Sequence, residues 1–185
     1  MSAKGSRTVA SPLDWKFASS MVSKLEKDGE IVWALLIMTG LYTGLRISDL
    51  LKLTWSDITG DVIELTEQKT GKHRKISVNP KLKEMATRHC RGKIGFVFTA
   101  GYGKSYSRQH VNRELHVIAK KYGITTSFST HSLRKSMGKR VYESNGSSEK
   151  SLVLLSDIFN HASIRTTKLY IGINEENISD CYMNL

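Results

Sequence analysis

The sequence predicts a mainly α-helical α+β domain with one small antiparallel β-sheet. Apolar residues recur at helical spacing through several long segments, most of them opened by a capping or helix-starting residue. The pattern turns to β-formers mainly between residues 54 and 78, around a polar turn containing glycine. With 39% hydrophobic residues, 24% charged residues and 2 Pro in 185 residues, the chain suits one globular unit that buries a core without disulfide or metal staples.

Residues 1–10 read as a short basic leader and residues 11–185 as a single domain. Ser11-Pro12-Leu13-Asp14 has the form of a helix start, with a hydroxyl cap, Pro at the first helical position and an acid in the first turn. Phe17, Met21, Val22 and Leu25 continue that helix towards Gly29. Residues 30–41, almost wholly apolar, form the buried central helix, which ends at Thr43-Gly44. A shorter helix follows over residues 46–53. A possible strand at 54–58 joins strands at 61–66 and 73–78, which flank the hairpin turn Lys69-Thr70-Gly71-Lys72. Pro80 opens another helix, residues 96–98 resemble a short buried strand, and helices follow near residues 107–122, 132–144 and 148–159. Residues 101–105 and 145–147 read as loops.

The net charge of +11 favours a polyanionic partner, nucleic acid foremost, through phosphate contacts and counterion release. A generally basic surface explains the charge alone equally well. Cys90 and Cys181 form neither a CxxC pair nor a disulfide framework, and neither they nor His73, His89, His110 and His116 give zinc-ligand spacing. No metal or cofactor is implied. The leader lacks a signal-peptide core and the apolar run at 31–38 is too short to span a bilayer, so the expectation is a cytoplasmic, DNA-associated protein with no membrane partner. Residues 101–105 end like a phosphate-binding loop, but Phe98 stands where the first glycine belongs.

Four segments place a strong donor or proton carrier at an element boundary. In Thr43-Gly44-Leu45-Arg46-Ile47-Ser48-Asp49, Gly44 permits a tight turn, Arg46 starts a helix, and Asp49 lies one turn on, in position to hold the guanidinium. The hairpin turn extends Lys69 or Lys72 on a flexible stem. In Thr130-His131-Ser132-Leu133-Arg134 the i, i+3 spacing puts an imidazole and a guanidinium on one helix face. His161 and Tyr170 close the series. Each segment alone also fits an ordinary surface or core role. Together they supply what transesterification at a phosphodiester requires: cations for developing charge, proton carriers and an oxygen nucleophile.

In order and spacing, these segments resemble the signature boxes of the tyrosine recombinases, also called phage-type integrases, and the match runs from residue 39 to 172. The resemblance implies the catalytic-domain fold of that family and a catalytic set of Arg46, Lys69, His131, Arg134, His161 and Tyr170, with Tyr170 the nucleophile. Lys69 is preferred to Lys72 because it precedes Thr-Gly, as the family lysine commonly does. The implied activity is site-specific cleavage and rejoining of double-stranded DNA through a 3′-phosphotyrosyl intermediate, in integration, excision or inversion. Four protomers would assemble on two DNA sites, the free chain being monomeric. Members usually carry a helical domain before the first box, which only about forty residues precede here. That core-binding domain is expected to be absent, the chain being either an excised catalytic fragment or similar to single-domain members such as the fimbrial DNA invertases.

Two other readings fit the same boxes: a noncatalytic DNA-binding accessory module, and an enzyme like the type IB topoisomerases, which relaxes supercoils without exchanging partners. Arg108, Gln109, Asn112 and Arg113, near the start of the 107–122 helix, are candidate DNA contacts, with Lys72 beside them. Residues 171–185 read as a tail whose apolar stripe of Ile173, Ile178, Cys181, Tyr182 and Leu185 docks on a neighbouring protomer or folds back on its own.

Overall fold

A computed structural model describes residues 10–99, 103–173 and 182–183. The fold is mostly helical, with two paired strands on its edge, as the sequence pattern predicts.

Helix α1 (Trp15–Lys27) begins later than the Ser-Pro signal implies. Asp14 caps it by accepting a hydrogen bond from the Phe17 amide at 2.8 Å. The amides of Ser11 and Leu13 are committed elsewhere, to the Ser127 carbonyl at 3.2 Å and the Ser136 hydroxyl at 2.7 Å, so this stretch lies along the domain instead of coiling. Helix α2 (Ile31–Thr43) is the central element, with Ala34, Leu35, Leu36, Ile37 and Leu41 buried among α1, α5 and α7. It stops where Gly44 takes a left-handed conformation, φ 59°, which turns the chain and presents Arg46 as the cap of α3 (Ile47–Leu50). This helix is shorter than the 46–53 expected.

The expected strand at 54–58 is instead helix α4 (Trp55–Thr59). A Thr54/Asp57 capping box satisfies the amides at its start, and that local chemistry overrides the β-forming composition. The sheet is therefore two-stranded. Strands β1 (Val62–Thr66) and β2 (His73–Ser77) pair antiparallel from Val62 opposite Ser77 to Thr66 opposite His73. Residues 96–98 make only an isolated bridge, Thr54 to Phe96, although Val97 and Phe98 are buried as expected.

Helix α5 (Pro80–Cys90) starts at Pro80 with Asn79 as cap. Serine caps then open α6 (Arg108–Lys121) at Ser107, α7 (Thr130–Ser144) at Ser129, α8 (Glu149–Phe159) at Ser148 and α9 (Ile164–Ile171) at Ser163. The last of these, α9, did not stand out as a separate helix in the sequence.

The core has two parts. The larger lies between α1, α2, the hairpin, α5, α6 and the inner face of α7. A smaller one, built on Leu152, Leu155, Phe159 and Ile171, joins α8 and α9 to α7 and packs against Tyr170 and Ile173. Most of the predicted tail stripe, at Ile178, Cys181 and Leu185, lies outside the described residues, whereas Tyr182 is exposed. Among the described residues no helix is long and apolar enough to cross a membrane.

Candidate active site

All six predicted catalytic residues line one open cleft of about 730 Å³ between the α3 start, the hairpin turn, the first turn of α7 and the α8–α9 connection. Arg108 lines it too, while Gln109, Asn112 and Arg113 lie further along α6 and Lys72 stands outside.

The carbonyl of Phe159 joins the two arginines. Arg46 Nη2 donates to it at 3.2 Å and Arg134 Nη2 at 3.0 Å. Arg134 also donates to the Gly44 carbonyl and sits over the Phe159 ring, 4.4 Å from its centre. Arg134 is 4% exposed, and burial lowers its pKa to about 10, so it remains charged at neutrality. Two backbone oxygens, at the ends of α2 and α8, thus orient one forked cation.

Arg46 is held differently from the sequence expectation. Asp49 lies one turn on as foreseen, but its Oδ1 accepts from the Gln68 amide at 2.9 Å. The carboxylate on Arg46 is Glu67, 2.6 Å from Nη1 and 1% exposed, which also accepts from Arg74 at 3.1 Å and from the Thr70 hydroxyl at 2.7 Å. Burial alone would raise the pKa of Glu67, but the hydrogen bonds from Thr70, Arg74 and Arg46 outweigh it and hold the group below its usual value. Glu67 escaped the sequence reading, although a signal was present. It follows Ile63 and Leu65 at the two-residue period of a strand, and a carboxylate on the inward side of a strand must be paired.

The ammonium group of Lys69 makes no hydrogen bond or ion pair among the described residues and lies on the cleft wall. Lys72 instead donates to Asn160 Oδ1 at 2.5 Å. This geometry favours Lys69 for work within the cleft.

His131 is an exposed residue in the first turn of α7. Desolvation on its inner side and the charges of Lys135, Arg134, Arg108 and Lys69 lower its pKa, leaving a neutral imidazole able to accept a proton. His161, in the α8–α9 connection, shares a hydrogen bond of 3.0 Å between Nδ1 and Thr167 Oγ1. Desolvation, then the charges of Arg134, Arg46 and Lys69, bring its pKa down to about 4.

Tyr170 is half-buried on α9, with its ring 5.0 Å from His161 and 5.4 Å from Phe159, centre to centre. Lys135 Nζ lies 5.4 Å from the ring centre. Desolvation raises the hydroxyl pKa, while the charges of Arg134 and Arg46 and a hydrogen bond donated by Arg134 work against that rise. The site sets a tyrosine hydroxyl beside two fixed guanidiniums, with a neutral imidazole on one wall and an ammonium on another. Such an arrangement suits in-line attack on a phosphodiester. Among the described residues no cluster of His, Cys, Asp and Glu forms a metal-holding group.

This fold is that of the tyrosine recombinases. XerA recombinase superposes with a TM-score of 0.72 at 19% identity, over 96% of this chain and 66% of that one. A lambda integrase dimer bound to a core site gives 0.67 at 20% identity, over 92% of this chain and 62% of that one. In sequence, the chain is 32% identical to the probable integrase/recombinase YoeC of Bacillus subtilis over 151 residues, 80% of this chain and 81% of that protein. It is 29% identical to tyrosine recombinase XerD of Listeria innocua, over 76% of this chain and 50% of that protein, so it spans about half the length of such relatives. The phage integrase family matches residues 13–177. The chain belongs to that family.

Proposed function

We propose that the chain cuts and rejoins duplex DNA at specific sites by transesterification. The observation that carries this reading is the convergence of Arg46, Lys69, His131, Arg134, His161 and Tyr170 on one cleft, with both guanidiniums anchored on the Phe159 carbonyl.

In this reaction Tyr170 Oη attacks the scissile phosphorus and gives up its proton to His131, whose imidazole is neutral at physiological pH. Arg46 and Arg134 hold the nonbridging oxygens and stabilise the charge that develops on them. Lys69 protonates the departing 5′ oxygen. His161 hydrogen-bonds the phosphate. A 3′-phosphotyrosyl ester results, which conserves the energy of the broken bond, and a 5′-hydroxyl from a partner strand reverses the steps and frees Tyr170. Arg108, at the cleft rim, binds a neighbouring phosphate, and Gln109, Asn112 and Arg113 on the same helix, with Lys72, add DNA contacts outside the cleft. Four protomers act together on paired sites, and the free chain is a monomer.

The test is strand transfer between two labelled duplexes that carry the flanks of the genetic element encoding the chain. Joining of label from one duplex to the other supports recombination. Relaxation of supercoils without exchange would point to topoisomerase-type activity, and binding without cleavage to an accessory module.

A further inference from the structure

The ammonium group of Lys69 has no hydrogen bond or ion pair among the described residues, yet a general acid must meet the leaving oxygen in one orientation to be useful. Its neighbours on both sides are fixed. The Gln68 amide donates to buried Asp49 at 2.9 Å, and the Thr70 hydroxyl donates to buried Glu67 Oε2 at 2.7 Å. The turn is closed by Gly71 N to Glu67 O at 2.8 Å and Glu67 N to Lys72 O at 2.9 Å. The same Oε2 of Glu67 receives Arg46 Nη1 at 2.6 Å. One carboxylate oxygen, nearly sealed from solvent, is thus shared between the arginine that grips the phosphate and the residue next to the lysine.

We propose that Thr70 is a positioning residue, which through Glu67 holds the hairpin turn in register with Arg46 so that Lys69 delivers its proton to the leaving oxygen. The proposal rests on the recombinase reading and on Lys69 as the general acid. Thr70 touches neither DNA nor reacting atoms in this role. Its effect passes through the orientation of Lys69.

A substrate with sulfur in place of the bridging 5′ oxygen isolates that proton transfer. Attack by Tyr170 then forms the O–P bond, breaks P–S and expels a thiolate. A thiol has a pKa of about 8.5, so this leaving group departs without an acid. Single-turnover cleavage of oxygen and sulfur substrates is measured for wild type, Thr70→Val, Thr70→Ser and Lys69→Ala. Valine keeps the shape of threonine but not its hydrogen bond.

We expect Thr70→Val to cleave the oxygen substrate on the order of tenfold more slowly, a part of the ~10²–10⁴ that general acid catalysis supplies, and to regain the wild-type rate with sulfur. Serine, which keeps the hydroxyl, restores the oxygen rate. Lys69→Ala shows the larger form of the same pattern. If Lys69→Ala is rescued by sulfur but Thr70→Val is slowed equally on both substrates, or on neither, the positioning role is overturned while the recombinase reading stands. If sulfur does not rescue Lys69→Ala, the assignment of Lys69 as acid fails and the proposal fails with it.

Discussion

Gly138 lies inside α7, on the face turned towards the smaller core, and it sets how closely α7, α8 and α9 approach one another. A Cβ at this position would stand 2.7 Å from Ile171 Cγ2 and 2.7 Å from Phe159 Cε2, and ordinary contact begins near 3.4 Å. Gly138→Ala therefore forces a movement of about 0.7 Å. Both neighbours bear on the site: Ile171 follows Tyr170, and the Phe159 carbonyl anchors Arg46 and Arg134. Overpacking costs ~1–3 kcal/mol and alanine returns ~1 kcal/mol of helix propensity, so the net loss of stability is roughly 0–2 kcal/mol. For a domain of this size that corresponds to a fall in Tm of up to about 8 °C. A displacement on this scale misaligns reacting groups enough to lower cleavage roughly 10- to 100-fold. DNA affinity should hold, since Gly138 is buried behind the cleft. Thermal unfolding, DNA binding and single-turnover adduct formation on a nicked substrate separate these effects. A folded variant that binds DNA and cleaves within about twofold of wild type would refute the idea that packing of the smaller core sets the position of Tyr170.

Two further outcomes are expected. Lys69→Ala should lower cleavage by ~10²–10⁴-fold, whereas Lys72→Ala, which loses only an exposed contact to Asn160, should leave single-turnover cleavage of saturated DNA nearly intact and reduce the salt dependence of binding by about one phosphate contact; rate and salt titrations of both variants check this. Because the pKa of His161 falls from the usual 6.5 to about 4 on folding, the unfolded chain binds the extra proton between those values, and stability falls as the pH drops through that window. Denaturant unfolding from pH 7 to pH 4 should accordingly show a steeper loss for wild type than for His161→Gln, and parallel curves would contradict it.

The site was more legible in the sequence than the details of the fold. Arg46, His131, Arg134, His161 and Tyr170 announce themselves as strong donors and proton carriers at element boundaries, and Gly44 marks the turn that exposes the first of them. What stayed hidden depends on distant partners. Glu67 rather than Asp49 meets Arg46 because the hairpin folds back across α3, a relation that spans 21 residues and has no local mark beyond strand alternation. The Phe159 carbonyl could not be foreseen from residue type at all, since any residue has one. Element errors came where two local signals competed. Around Pro12 the amides of Ser11 and Leu13 go to Ser127 and Ser136, leaving Asp14 to cap α1, and at Thr54 a capping box outweighs β-forming side chains.

The central claim, that Tyr170 attacks DNA within a cleft of fixed cations, is tested most directly with a suicide duplex nicked beside the cleavage point, so that the severed strand diffuses away and religation fails. The duplex carries flanks of the genetic element that encodes the chain, and wild type and Tyr170→Phe are compared for a protein–DNA adduct that survives denaturation. Phenylalanine keeps the ring contacts with His161 and Phe159 and removes only the hydroxyl. The account predicts an adduct in wild type, attached at Tyr170, and none in the variant. An adduct that persists in Tyr170→Phe, or DNA binding by wild type with no adduct at all, would contradict it.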